Sequence, residues 1–239
     1  GNAPHDVIIG DFNQDGNDDF LVANLGSNNV AIWLGDGAGS FSLGSTVSTG
    51  AGPISVEIAD FNSDGIDDFA VANLIGNSVS IRLGNGSGGV SGGTDIGVGS
   101  GPHGMAIGDF NGDGNVDLAT SNSNSNTVSI RLGDGAGGFS NASDVAAGAR
   151  PVSIAIGDID GDGDAVVRPV PVGGCWVSVR LGDGTGNFSG STEVSVGAGA
   201  YSVALGDLNA DGKTDIVTAS RNASSVSVRY GDGLGNFDT

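Results

Sequence analysis

A nine-residue acidic stretch, Asp11-Phe-Asn13-Gln-Asp15-Gly16-Asn17-Asp-Asp19, constrains this chain more than any other feature, because it returns four more times at a fixed interval of 49 residues. Its leading Asp recurs as Asp60, Asp109, Asp158 and Asp207. A spacing so regular means one structural unit copied five times, since insertions between independent motifs would have drifted the interval. The sequence therefore reads as a single repeat domain over 1–239, with units at approximately 1–49, 50–98, 99–147, 148–196 and 197–239.

The stretch has a chemistry of its own. Carboxylates or amides stand at its positions 1, 3, 5 and 9, and Gly at position 6 lets the chain turn sharply. Several hard oxygen donors are thus directed at one point, and a backbone carbonyl at position 7 can add another, which is what Ca2+ requires. No His or Cys lies inside the motif, so zinc and copper are poor candidates. Of the 28 acidic residues, 18 fall in the five loops, and five bound Ca2+ would reduce the formal charge of −20 to about −10. A set of merely polar turns would not keep the acidic spacing while the residues between it vary.

The remaining pattern is that of short strands. Val7 and Ile9 flank Ile8 ahead of the first loop, matched by Val56 and Ile58, Met105 and Ile107, Ile154 and Ile156, and Val203 and Leu205. This alternation marks the first strand of each unit. A second apolar run follows the loop (Phe20 to Ala23, Phe69 to Ala72, Leu118 to Thr120, Ile216 to Ala219). A third covers Val30 to Leu34, Val79 to Leu83, Val128 to Leu132, Val177 to Leu181 and Val226 to Tyr230. Gly-rich turns close the third run, and a weaker fourth strand begins near Phe41, Phe139 or Phe188. Four antiparallel strands per unit, with no helical period, predict an all-β fold. The fold expected is a β-propeller of five four-stranded blades, the fifth incomplete, either whole or a segment of a larger propeller. A nonapeptide β-helix is excluded by the period. EF-hand and dockerin-type modules are excluded because they need a Glu at loop position 12, where Val22, Val71 and Thr120 stand.

At this point the residues resemble a known family. The acidic loop, the Phe and Gly features around Phe41 and Gly44, and the Gly50-Ala-Gly-Pro53 junction are similar to FG-GAP or VCBS repeats, the blades of integrin α-subunit propellers and of many secreted bacterial proteins. The resemblance covers essentially the whole chain. It implies that each loop joins two strands of a blade and holds a structural Ca2+. Transferred position by position, it gives a first site of Asp11, Asn13, Asp15, Asn17 by its carbonyl, and Asp19. The second is Asp60, Asn62, Asp64, Ile66 by its carbonyl, and Asp68; the third is Asp109, Asn111, Asp113, Asn115 by its carbonyl, and Asp117. The fifth is Asp207, Asn209, Asp211, Lys213 by its carbonyl, and Asp215.

The fourth copy departs from the pattern. It keeps Asp158, Asp160 and Asp162, but Val166 holds position 9, and Asp164 is the replacement ligand expected at a weaker or altered site. Foreign composition runs from residue 165 to 175 at unchanged length, which is what two compensating frameshifts or a misassigned sequence would leave. Its two prolines, Pro169 and Pro171, argue against a central strand there.

Other features narrow the function. Only eight Lys and Arg are present with no basic run, so nucleic acid is not an expected partner. No apolar run is long enough to span a membrane, and the lone Cys175 builds no disulfide framework. Loops of this kind fill where Ca2+ is abundant, which points to a secreted or cell-surface location. The start at Gly1, without Met or a signal sequence, suggests a mature or excised fragment. Arg82, Arg131, Arg180 and Arg229 share one repeat position with Trp33, and blade-to-blade pairing with nearby carboxylates is expected of them rather than a polyanion-binding ring. His5 and His103 share a register with Ile54, Val152 and Tyr201 at the start of the innermost strand, where they read as rim residues. Trp33, Trp176, Tyr201 and Tyr230 recur at no common position, so a repeated lectin site is not supported. The sequons at Asn85, Asn141, Asn187 and Asn222 matter only in a eukaryotic secretory host.

No catalytic constellation emerges, and the chain is not expected to be an enzyme. The function expected is a calcium-stabilised extracellular module for binding, adhesion or structural assembly, with a carbohydrate-binding lectin and a propeller-based polysaccharide hydrolase or lyase as the alternatives. Its partners would be an extracellular protein or glycan, or further copies joined through open blade edges, since the fifth unit stops at Phe237-Asp-Thr239 where its outer strand should begin.

Overall fold

The structure is a computed structural model, and it describes residues 1–160, 166–171 and 174–238. The first sheet consists of β1 (Pro4–Gly10), β2 (Asp19–Asn24), β3 (Asn29–Gly35) and β4 (Phe41–Ser48), hydrogen-bonded in that order and antiparallel throughout. The second repeats it with β5 (Pro53–Ala59), β6 (Asp68–Asn73), β7 (Ser78–Gly84) and β8 (Val90–Gly97). The third is β9 (Pro102–Gly108), β10 (Asp117–Asn122), β11 (Thr127–Gly133) and β12 (Phe139–Ala146). The fourth is β13 (Pro151–Gly157), β14 (Val166–Pro171), β15 (Trp176–Gly182) and β16 (Phe188–Ser195). The fifth has three strands, β17 (Ala200–Gly206), β18 (Asp215–Ser220) and β19 (Ser225–Arg229). Where its outer strand would start, a single bridge pairs Gly231 with Phe237, at the register that Gly35 and Phe41 hold in the first sheet.

These sheets are the blades of a β-propeller, and the reason lies in where the core sits. A small sheet has two apolar faces and can cover neither alone, so each blade must pack on its neighbours. Four apolar clusters result, one at each blade-to-blade boundary. Leu21, Val30 and Ile32 of the first blade, for instance, close against Val56, Phe69 and Val71 of the second. The next boundaries join Val79 and Ile81 to Met105 and Leu118, Val128 and Ile130 to Ile154, and Val177 and Val179 to Val203 and Ile216. The innermost strands β1, β5, β9, β13 and β17 touch in that succession.

The uncovered faces of the end blades show the same logic in reverse. Val7 is 60% exposed, whereas its repeat equivalents Val56, Met105, Ile154 and Val203 are buried. Val226 is 67% exposed, whereas Val30, Val79, Val128 and Val177 are buried. One face of the first blade and the opposite face of the fifth are thus the apolar faces that none of these five blades covers.

The recurrent arginines are ties between blades. The Nε of Arg82, Arg131, Arg180 and Arg229 donates to the carbonyl of Ser48, Gly97, Ala146 and Ser195, each in the last strand of the preceding blade or just after it. The partner across the blades is a backbone carbonyl rather than a carboxylate. The carboxylates that Arg82 and Arg131 meet, Asp95 and Asp144, belong to their own blades. Arg131 and Arg180 are buried, which removes a guanidinium ring from consideration. In the first blade the same position is Trp33, which stacks on Phe20 with ring centroids 6.0 Å apart.

One expectation is corrected. The prolines of the fourth repeat do not prevent a second strand: β14 pairs with β13 from Gly157↔Val166 to Pro151↔Pro171. Pro169 and Pro171 are two residues apart, so their missing donors fall on the same side of the strand. The ladder on which those donors are lost is the one to β15, where the registered pair among the described residues is Val167↔Arg180.

Candidate metal centres

The acidic loops connect the first and second strands of each blade, at one end of the propeller. In the first loop the amide of Asp15 donates to both Asp11 Oδ1, at 3.2 Å, and Asn13 Oδ1, at 3.0 Å. Two side-chain oxygens from positions 1 and 3 thereby converge on the backbone of position 5. The Gly16 amide donates to Asp11 Oδ2, the Asn17 amide to Asp15 Oδ1, and the Asn13 side-chain amide to Asp15 Oδ2. Gly16 has φ +82°, a conformation that L side chains rarely adopt, which is why position 6 is Gly in every copy.

The same bonds recur around Asp60, Asn62 and Asp64, around Asp109, Asn111 and Asp113, and around Asp207, Asn209 and Asp211. Ile66, Asn115 and Lys213 donate their amides to the position-5 carboxylate as Asn17 does. Asp15 and Asp113 are held below the usual carboxylate range, first by the amide two residues on (Asn17, Asn115) and then by the side-chain amide of Asn13 or Asn111. They face solvent as carboxylates at neutral pH.

Position 9 is built differently. Asp19, Asp68, Asp117 and Asp215 are buried. Each accepts the amide of loop position 2, from Phe12, Phe61, Phe110 and Leu208. Each also accepts the amide of the Gly that ends the third run, from Gly35, Gly84, Gly133 and Gly231. This carboxylate clamps the acidic loop to the far end of the third strand, and only its remaining lone pairs are left for an ion. Burial pushes Asp68 and Asp117 up; the two donated amides oppose this, and the position-5 and position-1 carboxylates add to it.

The loops also interlock between blades. The Asp11 amide donates to Asp67 Oδ2 of the next blade at 3.2 Å, and Gln14 Nε2 donates to the Gly65 carbonyl at 3.1 Å. In the fourth copy the Asp158 carbonyl accepts the Thr214 hydroxyl. Asp162 and Asp164 lie outside the described residues, while Val166 opens β14.

The donor set fits a hard divalent cation: the carboxylates of positions 1 and 5 and the amide oxygen of position 3, joined by the remaining lone pairs of the position-9 carboxylate, all oxygen and beyond those spent on amides. Among the described residues, no three Asp, Glu, His or Cys side chains converge closely enough to hold an ion by themselves. The Asn oxygen of position 3 and a backbone carbonyl are therefore integral to any such site. His5 and His103, at the opposite end of the propeller, form an edge-to-face pair 6.4 Å apart, with His5 bonded to the Ile54 carbonyl. No described helix is long and apolar enough to cross a membrane.

Comparison with known proteins places the architecture. No curated protein matches the chain in sequence. Among solved structures, an Agrocybe aegerita lectin that recognises non-reducing terminal N-acetylglucosamine aligns over 99% of this chain and 65% of its own, with TM-score 0.66 and 20% identity. A protein from Lactobacillus plantarum aligns over 98% of this chain and 69% of its own, with TM-score 0.74 and 17% identity. A rhamnogalacturonan lyase aligns over 98% of this chain and 50% of its own, with TM-score 0.61 and 14% identity. The chain spans about two thirds of the first two and half of the third, and at these identities the likeness is one of fold. The FG-GAP-like repeat matches in four overlapping or successive stretches, residues 11–71, 60–120, 109–167 and 171–218, each containing or adjoining an acidic loop. The chain belongs to the FG-GAP-like repeat family.

Proposed function

We propose that this chain is a calcium-stabilised extracellular β-propeller that serves as a binding or structural assembly module rather than as an enzyme. The observation that carries the reading is the fourfold recurrence of one loop geometry, in which oxygens of positions 1 and 3 gather at the backbone of position 5. Asp11, Asn13, Asp15 and the Asn17 carbonyl would hold the first ion with Asp19, and the corresponding residues would hold the others. Bound Ca2+ supplies positive charge among carboxylates that otherwise repel one another. Because each of the first four loops bonds to a later blade, holding the loop also holds the blade boundary. Loops of modest affinity fill where Ca2+ is plentiful, which supports an extracellular setting.

Native mass spectrometry in Ca2+ and after chelation tests the proposal. Four tightly held ions and a weaker fifth are expected, with a melting temperature that falls on chelation. A folded protein that holds no Ca2+ would make the Asp residues turn formers and remove the support for an extracellular setting. The partner is a protein or glycan, or a second copy meeting the three-stranded fifth sheet. Light scattering across a concentration series separates these, since only the last makes the mass rise with concentration.

A further inference from the structure

The end of the propeller opposite the acidic loops carries a second constructed feature. Each inner strand begins with a register shift, between Pro4 and Asp6 in the first blade, Pro53 and Ser55 in the second, Pro151 and Ser153 in the fourth and Ala200 and Ser202 in the fifth. The third blade shifts at the same place, opposite Thr120 and Asn122. A bulge re-aims the extra residue. The residues re-aimed here are His5, Ile54, His103, Val152 and Tyr201. The last three line a cleft of about 660 Å³ to which four successive blades contribute, the rest of its wall coming from second-to-third strand turns and blade junctions.

The chemistry of the cleft runs against that of the chain. The protein carries a formal charge of −20, yet among the described residues none that lines the cleft is acidic. Arg150 supplies a cation, and among the described residues it has no carboxylate partner. Of the eight Lys and Arg, four are spent as ties between blades, while Arg150 and Arg221 stand on either side of Tyr201, Arg221 in an adjoining depression that shares this ring.

Arg150 also occupies a position that does not favour it. Its φ is +53°, and the equivalent junction residues Gly52, Gly101 and Gly199 have φ of +71°, +69° and +76°. A side chain is strained where three of the other four junctions use Gly, and strain of this kind concentrates at ligand sites. The Arg150 amide is fixed by Asn126 Oδ1 at 2.8 Å, so the turn is held. Around it, Tyr201 is 45% exposed, and the side-chain amide of Asn124 and the Ser100 hydroxyl line the cleft without a hydrogen-bond partner among the described residues, the Asn124 backbone N–H being given to the Ser100 carbonyl.

We propose that this cleft binds an acidic saccharide, a pyranose bearing a carboxylate. Arg150 would pair with the carboxylate, Tyr201 would offer its face to the sugar ring, and Asn124 and Ser100 would meet the hydroxyls. A short ligand with few charges is favoured over a long polyanion, which the negative charge of the whole chain repels at range. A saccharide is favoured over an acidic peptide because the wall combines an exposed aromatic face with fixed groups that both donate and accept, matching adjacent sugar hydroxyls. This deepens the binding-module reading and is independent of the calcium loops, which lie at the other end of each inner strand.

The test is calorimetric titration of the whole chain with digalacturonate, with its methyl ester, which keeps the shape and removes the charge, and with a tetra-aspartate peptide. Digalacturonate is expected to bind, and the ester and the peptide at least about tenfold more weakly, because a charge-assisted guanidinium-carboxylate pair is lost or the ring contact is missing. Arg150→Gly restores the residue that other junctions use, so it should fold with an unchanged or higher melting temperature while losing about tenfold or more in affinity. Tyr201→Val copies the fourth blade and should weaken binding likewise. Undiminished binding by Arg150→Gly, an ester that binds as well as the acid, tighter binding of the peptide, or no binding of digalacturonate at millimolar concentration would each overturn the proposal. Counting Ca2+ by native mass spectrometry on the same samples keeps this outcome separate from the fate of the calcium reading.

Discussion

Replacing Asp68 with Asn separates the two roles that an acidic loop can play. The Asp68 carboxylate is fully buried and accepts the Phe61 amide at 2.9 Å and the Gly84 amide at 2.7 Å. An Asn keeps one acceptor oxygen and turns an NH2 toward the other donor. One charge-assisted bond is lost and one buried N–H is left unpaired, a combined cost of about 2–4 kcal/mol. For a chain of this length that lowers the melting temperature by about 5–15 °C. Because the clamp is made of hydrogen bonds, the loss should persist in chelator. Asp64→Asn is the contrast: Asp64 bonds the Ile66 amide and the Asn62 side chain in an exposed loop, so in chelator its effect should stay within about 0.5 kcal/mol. In saturating Ca2+ the same variant should lose most of the stabilisation that the ion gives to the second site. Differential scanning calorimetry of both variants in both buffers reads the four values. The reasoning fails if Asp68→Asn melts within a degree or so of the parent, or if Asp64→Asn is as damaging in chelator as in Ca2+.

Three further outcomes follow from single contacts. Arg131→Lys keeps the charge but loses the fork that bonds the Gly97 and Ile130 carbonyls and Asp144, and its urea midpoint should fall by the equivalent of about 1–3 kcal/mol. Glu57 has its carboxyl pushed up to about 7 from 4.5, by burial first and by the nearby Asp6 carboxylate second. The unfolded chain ionises Glu57 first, so its contribution is fully present below pH 4.5 and is lost as the pH rises through 7. Glu57→Gln should therefore leave stability at pH 4 unchanged and raise it at pH 8 by about 1–3 kcal/mol, measured by thermal melts across that range. Gly35→Ala would bring a Cβ to within 2.2 Å of the Asp18 carbonyl oxygen, so the variant should fold less stably by about 1–3 kcal/mol in urea titration.

Much of this architecture is legible in the sequence because it is written five times. Alternation at Val7 and Ile9, or at Val30 and Ile32, is ambiguous in one copy, but a fixed interval of 49 residues turns it into strands with a common register. The buried clamp at position 9 was not legible: Asp19 and Asp15 look alike in a list of acidic residues, and only the fold shows that Asp19 reaches Gly35, 16 residues on, while Asp15 stays with its own loop. Nor does the sequence show that Arg82 bonds the Ser48 carbonyl of another blade, since a backbone acceptor has no signature. Pro169 and Pro171 argue against a strand only when a lost donor is counted without regard to side; in β14 the donors lost fall on one neighbour and the ladder to β13 survives.

In a repeat protein the shared residues specify the scaffold, and the departures from them carry what is particular to the molecule. Three departures here have three different physical outcomes. Trp33 stands in the first blade where the other four blades have Arg, and there an aromatic stack on Phe20 takes the place of the guanidinium tie. Val166 stands where other copies have the clamping Asp, and in the same repeat the second and third strands pair at Val167↔Arg180 among the described residues. Arg150 stands where three of the other four junctions have Gly, holds a left-handed backbone conformation, and places at a cleft a charge with no carboxylate partner among the described residues. The first departure exchanges a tie between blades for a ring stack within one blade, and the second removes a clamping carboxylate. Only the third adds a charged group that the described residues leave without a carboxylate partner, and this places the proposed ligand at the cleft and not along the recurrent positions.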